Sequence, residues 1–181
     1  MTTGGVVMKA LTFWKAVTVD REEFLERFLD VLRTGGVQHC LIGGQAVNAY
    51  AEPVVSLDLD VVVAADQIDA VEASLARRFV VKRFGHSINV SAPDSDVRVQ
   101  IRTDSRYLAF LPYATPREVL GITLPVARIE DVFQGKIWAA LDPARRPSRR
   151  QKDLADIARL LEVSPDLRGR VPLEILARLV W

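Results

Sequence analysis

Leu41-Ile42-Gly43-Gly44, followed by Ser56-Leu57-Asp58-Leu59-Asp60-Val61-Val62-Val63, decides how the chain is read. A short apolar strand runs into a glycine pair, a brief helix is expected over residues 45–51, and a second apolar strand carries two aspartates two positions apart. Side chains alternate along a strand, so Asp58 and Asp60 share one face while Leu57, Leu59 and Val61 share the other. Two adjacent carboxylates repel each other unless a cation or a proton stands between them, and hard oxygen ligands suit Mg²⁺ or Mn²⁺. Gly43 and Gly44, at a strand-to-helix turn, let a ligand approach the backbone and turn amide N–H groups toward an anion. The stretch therefore brings a metal site and a phosphate site together. Its rival reading is a simple tight turn followed by exposed strand-end acids, which the apolar flanks of β-type sequence oppose.

This pattern resembles the signature of the polymerase-beta-type nucleotidyltransferase superfamily, and within it the bacterial branch around the AbiEii toxins of type IV toxin–antitoxin systems. The resemblance spans residues 35–162. It implies an α/β fold, a small mixed twisted sheet with flanking helices and a C-terminal helical segment. It also implies a nucleoside triphosphate site in which Asp58 and Asp60 hold the metal, with Gly43, Gly44, Ser56, Lys136, Arg149 and Arg150 near the phosphates. Ser56 is otherwise read as shaping the turn into the strand. Members of the superfamily place a third carboxylate on a later strand, but here Val97-Arg98-Val99-Gln100-Ile101 offers only Arg98 and Gln100 at the alternating polar positions. Asp96 and Asp104, on either side of that strand, are the acids that could stand in for Gln100.

The 181 residues suit one domain with a helical extension, divided as an α/β part over residues 1–128 and helices over 129–181; 49% hydrophobic content is enough for a core. A net charge of +1 argues against wholesale polyanion binding, leaving any nucleic-acid contact to a local patch. Cys40 is the single cysteine, which excludes an intramolecular disulfide and fits a reducing cytoplasm. The apolar run Ala10 to Trp14 is too short for a signal segment or a membrane span, so a cytoplasmic protein without membrane contact is expected.

Outward from the central stretch, Asp20 and Glu23 have capping-box spacing before the stripe Phe24, Leu25, Phe28, Leu29 and Leu32, which predicts a helix ending at Gly35-Gly36. Strands are expected over 37–42, 57–63, 79–84, 86–91 and 97–101, with a helix over 66–77. Three prolines make residues 105–128 read as irregular chain around one strand near Val119 to Leu124. From Ile129, the apolar positions Val132, Phe133, Ile137, Ala140 and Leu141 describe a helix, and Lys136 lies inside that stripe. Such a lysine snorkels, pairs with a buried acid or reaches a phosphate.

After Asp142-Pro143 comes the one dense basic run, Ala144 to Lys152, read as a solvated loop or as a phosphate or RNA patch. The following helix places Asp153 and Asp156 beside its apolar stripe, and a last short helix is expected over 172–181. Lys136, then Arg149 or Arg150, then Lys152-Asp153-x-x-Asp156-Ile157 is similar to the C-terminal motif of the AbiEii-like branch; the bland alternative is an ion pair of Lys136 with Asp153 between two helices. His39 and His86 are expected to be structural.

Two functional readings follow. One is a Mg²⁺-dependent transferase that binds an NTP and passes a nucleotidyl group to a hydroxyl of tRNA, other RNA, a protein or a small molecule, acting as a toxin with an antitoxin partner. The other is a catalytically degenerate protein that binds nucleotide or a partner, with Gln100 marking the lost chemistry. An RNA-binding module built on the basic run is a third.

Overall fold

The computed structural model describes residues 23–56, 58–93 and 97–179. Residues 23–34 form helix α1, whose apolar stripe buries Phe24, Leu25, Phe28, Leu29 and Leu32. Asp20, Leu57, Asp96 and Trp14, which figure in the sequence reading, lie outside the described residues, as do the last two residues of the expected helix over 172–181. Strand β1 (His39–Ile42) leads directly into α2 (Gly43–Asn48), and the chain returns as β2 (Asp58–Val63). Then come α3 (Ile68–Leu75), β3 (Val80–Phe84), β4 (Ser87–Ser91) and β5 (Arg98–Arg102). A 3-10 helix over Ser105–Tyr113 precedes β6 (Thr115–Val119) and β7 (Ile122–Val126), and the chain closes with α4 (Ile129–Leu141), α5 (Pro147–Val163) and α6 (Leu173–Leu176).

The seven strands form one mixed sheet in the order β3-β4-β5-β2-β1-β7-β6. β1 and β2 are antiparallel neighbours at its centre, while β2 with β5 and β1 with β7 run parallel. Val61, Val62 and Val63 are all buried, as a central strand covered on both faces requires. On β5 the apolar Val99 and Ile101 turn into the core, and the polar Arg98, Gln100 and Arg102 take the other face. The fold is thus a mixed α/β sheet with flanking helices.

Three expectations need correction. Residues 105–128 are not irregular around one strand: Ser105–Tyr113 is helical, and the expected strand over Val119 to Leu124 is in fact the tip of the β6–β7 hairpin. Leu120 (φ 56) and Gly121 (φ 76) form a two-residue turn that needs positive φ at both positions. Pro116 and Pro125 face each other across the hairpin, where edge strand β6 tolerates a missing N–H. The basic run is not a separate loop either, since α5 begins at Pro147, a residue suited to the first helical position, and takes Arg149, Arg150 and Lys152 into its opening turns. Smaller shifts affect β1, two residues shorter at its start than expected, and α2, which starts at Gly43 and not at residue 45.

α4 and α5 pack against each other and against α2, burying Val132, Phe133, Ile137, Leu154, Ile157 and Leu160. Complete burial of side chains such as Phe133 and Ile157 stabilises by roughly 1.5–3 kcal/mol each. This helix pair stands over the edge of the sheet where β1 ends, and there the polar residues collect.

Candidate active site

The register between β1 and β2 sets Ile42 opposite Asp60, so the chain leaves β1 at Gly43 immediately beside the Asp60 carboxylate. Gly43 has φ +70, and a Cβ at that position would fall 2.3 Å from Asp60 Oδ2. Only glycine satisfies both the left-handed backbone and the close approach. At Gly44 a Cβ would lie 3.2 Å from Ser56 Oγ and 3.7 Å from Lys152 Nζ. The buried Gln45 donates from Nε2 to the Ser56 carbonyl at 2.7 Å, and Asn48 exchanges two hydrogen bonds with the backbone of Val54 at 2.8 and 3.0 Å. These bonds tie the loop before β2 to α2 and thereby fix where Asp58 emerges.

Asp58 and Asp60 are both half-buried on one face of β2. Each meets an arginine from β5. Arg98 donates through one terminal nitrogen to both oxygens of Asp58 at 3.0 Å, and Arg102 places Nε at 3.1 Å and a terminal nitrogen at 3.0 Å from Asp60 Oδ1. Arg149, from α5, stands 3.9 Å from Asp58 Oδ2. Arg150 turns the other way and donates to the carbonyls of Asp142 and Arg145 at 3.0 and 3.2 Å, closing the turn before α5.

Gln100 is the β5 residue directly across from Asp60. Its amide nitrogen donates to Asn89 Oδ1 at 3.0 Å and Ser87 Oγ at 3.3 Å on β4, so the side chain is held on the strand beyond. Asp104 is gripped by Arg106 at 2.7 Å, and the hydrogen bonds from Arg106 hold its carboxyl below the usual aspartate range against the opposing effect of burial. Among the described residues, no three His, Cys, Asp or Glu side chains are grouped to hold a metal.

A second polar network lies between α4 and α5. Lys136 Nζ is 3.0 Å from Asp153 Oδ1 and 2.7 Å from Asp156 Oδ2, while Arg145 and Arg159 each approach one of these acids at 2.8 Å. Desolvation by itself would lower the Lys136 pKa, but attraction to Asp156 and Asp153 and their hydrogen bonds outweigh it, and the pKa is raised. The ammonium therefore stays charged although nearly all of it is buried.

Both networks border one cavity of about 540 Å³, whose walls include Gly43, Asp60, Arg102, Lys136, Arg145 and Asp153. The far wall is aromatic: Trp138 stacks on Phe110 at 5.8 Å between centroids and lies under the Arg106 guanidinium at 4.8 Å. His86 also lines this cavity, whereas the His39 Nδ1 lies 2.8 Å from the Val37 carbonyl with its pKa lowered by burial. Arg98, Arg102, Arg145 and Lys152 belong to this region; of these only Arg102 went unnamed in the sequence reading, Arg98 standing there as a polar position of the third strand and Arg145 and Lys152 as part of the basic run. Arg149, Lys152, Asp153 and Asp156 have the spacing of one helix face.

The sheet, the glycine turn and the aspartate pair define the nucleotidyltransferase class of fold, and solved structures of that class match it. ANT(2″)-Ia in complex with adenylyl-2″-tobramycin is 12% identical, with a TM-score of 0.60 over 86% of this chain and 97% of that one. The lincomycin-bound lincosamide antibiotic adenylyltransferase LnuA is 12% identical, with a TM-score of 0.52 over 77% and 97%. An antigenic nucleotidyltransferase-like protein from Paracoccidioides brasiliensis is 17% identical, with a TM-score of 0.53 over 90% and 83%. The family described as nucleotidyl transferase AbiEii toxin, type IV TA system, matches residues 17–179, and the chain belongs to it. A search of curated proteins gives no significant match. No helix among the described residues is long and apolar enough to cross a membrane.

Proposed function

We propose that the chain binds a nucleoside triphosphate at Asp58, Asp60, Gly43 and Gly44 and transfers its nucleotidyl group to a hydroxyl acceptor in the cytoplasm. The carrying observation is the approach of Gly43 to Asp60 on the wall of a cavity of about 540 Å³ that Lys136, Arg102 and Arg145 also line. A volume of this size suits a small-molecule ligand, and its polar groups converge at one end. Two hard carboxylates on one strand face fit Mg²⁺ or Mn²⁺, which are commonly held by one or two carboxylates together with substrate phosphates. Asp58 and Asp60 would hold the ion, which would neutralise phosphate charge and polarise the α-phosphorus.

The chain's own residues supply the rest. Gly43 and Gly44 admit the phosphates close to the backbone, and Ser56 shapes the approach. Lys136, kept protonated by Asp153 and Asp156, and Arg145 present positive charge where the pyrophosphate accumulates negative charge, with Arg149 close to Asp58. The acceptor oxygen forms a bond to the α-phosphorus, the bond from that phosphorus to the bridging oxygen breaks, and pyrophosphate leaves. The hydroxyl proton goes to water, because Gln100 puts no carboxylate beside Asp60. Transfer to generic acceptors is accordingly slow.

Membership of the AbiEii family supports a toxin restrained by an antitoxin; its acceptor is a hydroxyl of an RNA such as tRNA, of a protein or of a small molecule. A second reading, a degenerate nucleotide- or partner-binding protein, is favoured by Gln100 at the third-strand position. Calorimetry with ATP, GTP, CTP and UTP, with and without Mg²⁺, tests the shared core of both. Metal-dependent binding that disappears in the Asp58→Asn, Asp60→Asn double variant is expected; no binding of any triphosphate, or binding indifferent to the double substitution, refutes the site. Transfer of label from an α-labelled NTP to RNA or protein then separates the enzyme from the degenerate form.

A further inference from the structure

β5 carries an arrangement that nucleotide binding alone leaves unexplained. Arg98, Gln100 and Arg102 alternate along the strand, and the register places them opposite Asp58, Asp60 and Val62. With Gln100 held by β4, the two arginines bracket the aspartate pair. Arg149 approaches Asp58 from α5 and Lys152 lies beside Gly44, so four cations gather at this end of the sheet in a chain whose net charge is only +1. This local excess of positive charge suits a polyanion.

The arginine–aspartate pairs differ from settled structural ion pairs. The Arg98 and Arg102 side chains are 41% and 28% exposed, and those of Asp58 and Asp60 are 24% and 15% exposed. Partly solvated pairs of this kind contribute little net stability, so they separate easily. Arg98 Nε is buried without a hydrogen-bond partner, which leaves that guanidinium with an unused donor. A divalent ion competes with these guanidinium groups for carboxylate lone pairs, since Arg98 engages both oxygens of Asp58 and Arg102 engages Oδ1 of Asp60.

We propose that Arg98 and Arg102 exchange partners when the triphosphate binds, leaving Asp58 and Asp60 for the phosphate oxygens while the metal takes the carboxylates. The inference rests on the nucleotide-binding reading above and says what the third strand does in place of a third carboxylate: it delivers positive charge to the phosphates. Arginine suits this task, since its planar fork of donors matches phosphate as well as carboxylate. Metal alone competes with the arginines for the carboxylates, and triphosphate alone finds the arginines engaged. Together, each ligand takes up what the other has displaced, so the two bind cooperatively and reciprocally.

The test titrates Mn²⁺ and the α,β-methylene analogue of the best-bound NTP, separately and together, by calorimetry and by the paramagnetic resonance of free Mn²⁺. In the natural sequence each ligand is expected to tighten the other on the order of tenfold, within the usual range of such couplings. In the Arg98→Gln, Arg102→Gln double variant, Mn²⁺ alone binds more tightly, the nucleotide binds more weakly and the coupling disappears. Opposite signs for the two ligands distinguish this from misfolding, which weakens both, and the Arg98→Lys, Arg102→Lys variant recovers part of the nucleotide affinity. If the natural sequence binds both ligands and the glutamine variant binds them equally well, the exchange is refuted and the nucleotide site stands. If the natural sequence binds neither ligand, the nucleotide site itself falls and the exchange with it.

Discussion

The β2–β5 face and the α4–α5 interface each set acids against bases, yet they differ in how far water reaches them. On the sheet, Asp58 and Asp60 meet Arg98 and Arg102 with every side chain between 15% and 41% exposed. Between the helices, Lys136 is 9% exposed and its partners Asp153 and Asp156 only 1% and 2%. Desolvated charges cannot part company without stranding one another, whereas half-solvated charges can be handed to a ligand. The helical network is therefore scaffold first and cavity wall second, and the strand network is free to work as a binding surface. Similar charge pairs on one chain serve different ends because burial differs.

The largest effect that would break this contrast lies in the helices. Lys136→Met leaves Asp153 and Asp156 buried with only Arg145 and Arg159, and should cost about 3–5 kcal/mol in urea unfolding. Because the Lys136 pKa is raised by folding, its contribution is complete below the ordinary lysine pKa and fades as pH rises through the folded value. The natural protein should lose stability at strongly alkaline pH, and the methionine variant should lose less over the same interval. By contrast, the Asp58→Asn, Asp60→Asn protein should unfold within about 1 kcal/mol of the natural one. Equal losses in the two variants would erase the distinction.

Gly43→Ala comes next. Its methyl group would sit 2.3 Å from Asp60 Oδ2 on a backbone at φ +70, which predicts about 1–3 kcal/mol of destabilisation and lost nucleotide binding, read by melting and calorimetry. Retention of both would mean that the glycine turn does not shape the site.

Gln100→Asp probes the third strand with little expected change in stability. A carboxylate opposite Asp60 should tighten Mn²⁺ binding and raise transfer of label from an α-labelled NTP. If the substitution leaves both unchanged while Asp104→Asn abolishes transfer, the acid beyond the end of β5 supplies the third ligand.

The smallest effect concerns Cys40, fully buried in β1, whose thiol pKa is pushed up to about 12 by burial and by the nearby Asp131. A maleimide should label it at pH 8 only as fast as the protein unfolds. Rapid labelling of the native chain would show that the centre of the sheet opens independently.

The central stretch was legible because its signals are local. Alternation fixed the shared face of Asp58 and Asp60, and the strand-to-helix turn placed the glycines before any contact was known. Lys136 was legible as an anomaly within an apolar stripe. Its ion pair with Asp153 was one of the readings open to it, and the structure adds Asp156, Arg145 and Arg159, which join the network only once two helices pack. The pairing of the β5 arginines with Asp58 and Asp60 was not legible, because cross-strand register depends on which strands become neighbours, and β5 joins β2 across an intervening hairpin. Prolines obscured the β6–β7 hairpin, where a positive φ at Leu120, a residue that rarely adopts it, hides the turn from composition.

The alignment of Ile42 with Asp60 also bears on how faithfully the sheet assembles. Val61-Val62-Val63 is apolar on both faces and would fit β1 nearly as well if displaced by one residue, so that part of β2 carries little information about register. Asp58 and Asp60 carry it: a one-residue slip turns every side chain to the opposite face and would drive both carboxylates into the hydrocarbon interior, away from their arginines. Desolvating each charge would cost several kcal/mol, enough to reject the misaligned pairing. The two acids of β2 thus act as an alignment check during folding, so that a chain that has closed the centre of its sheet has already brought Asp58 and Asp60 to their arginines.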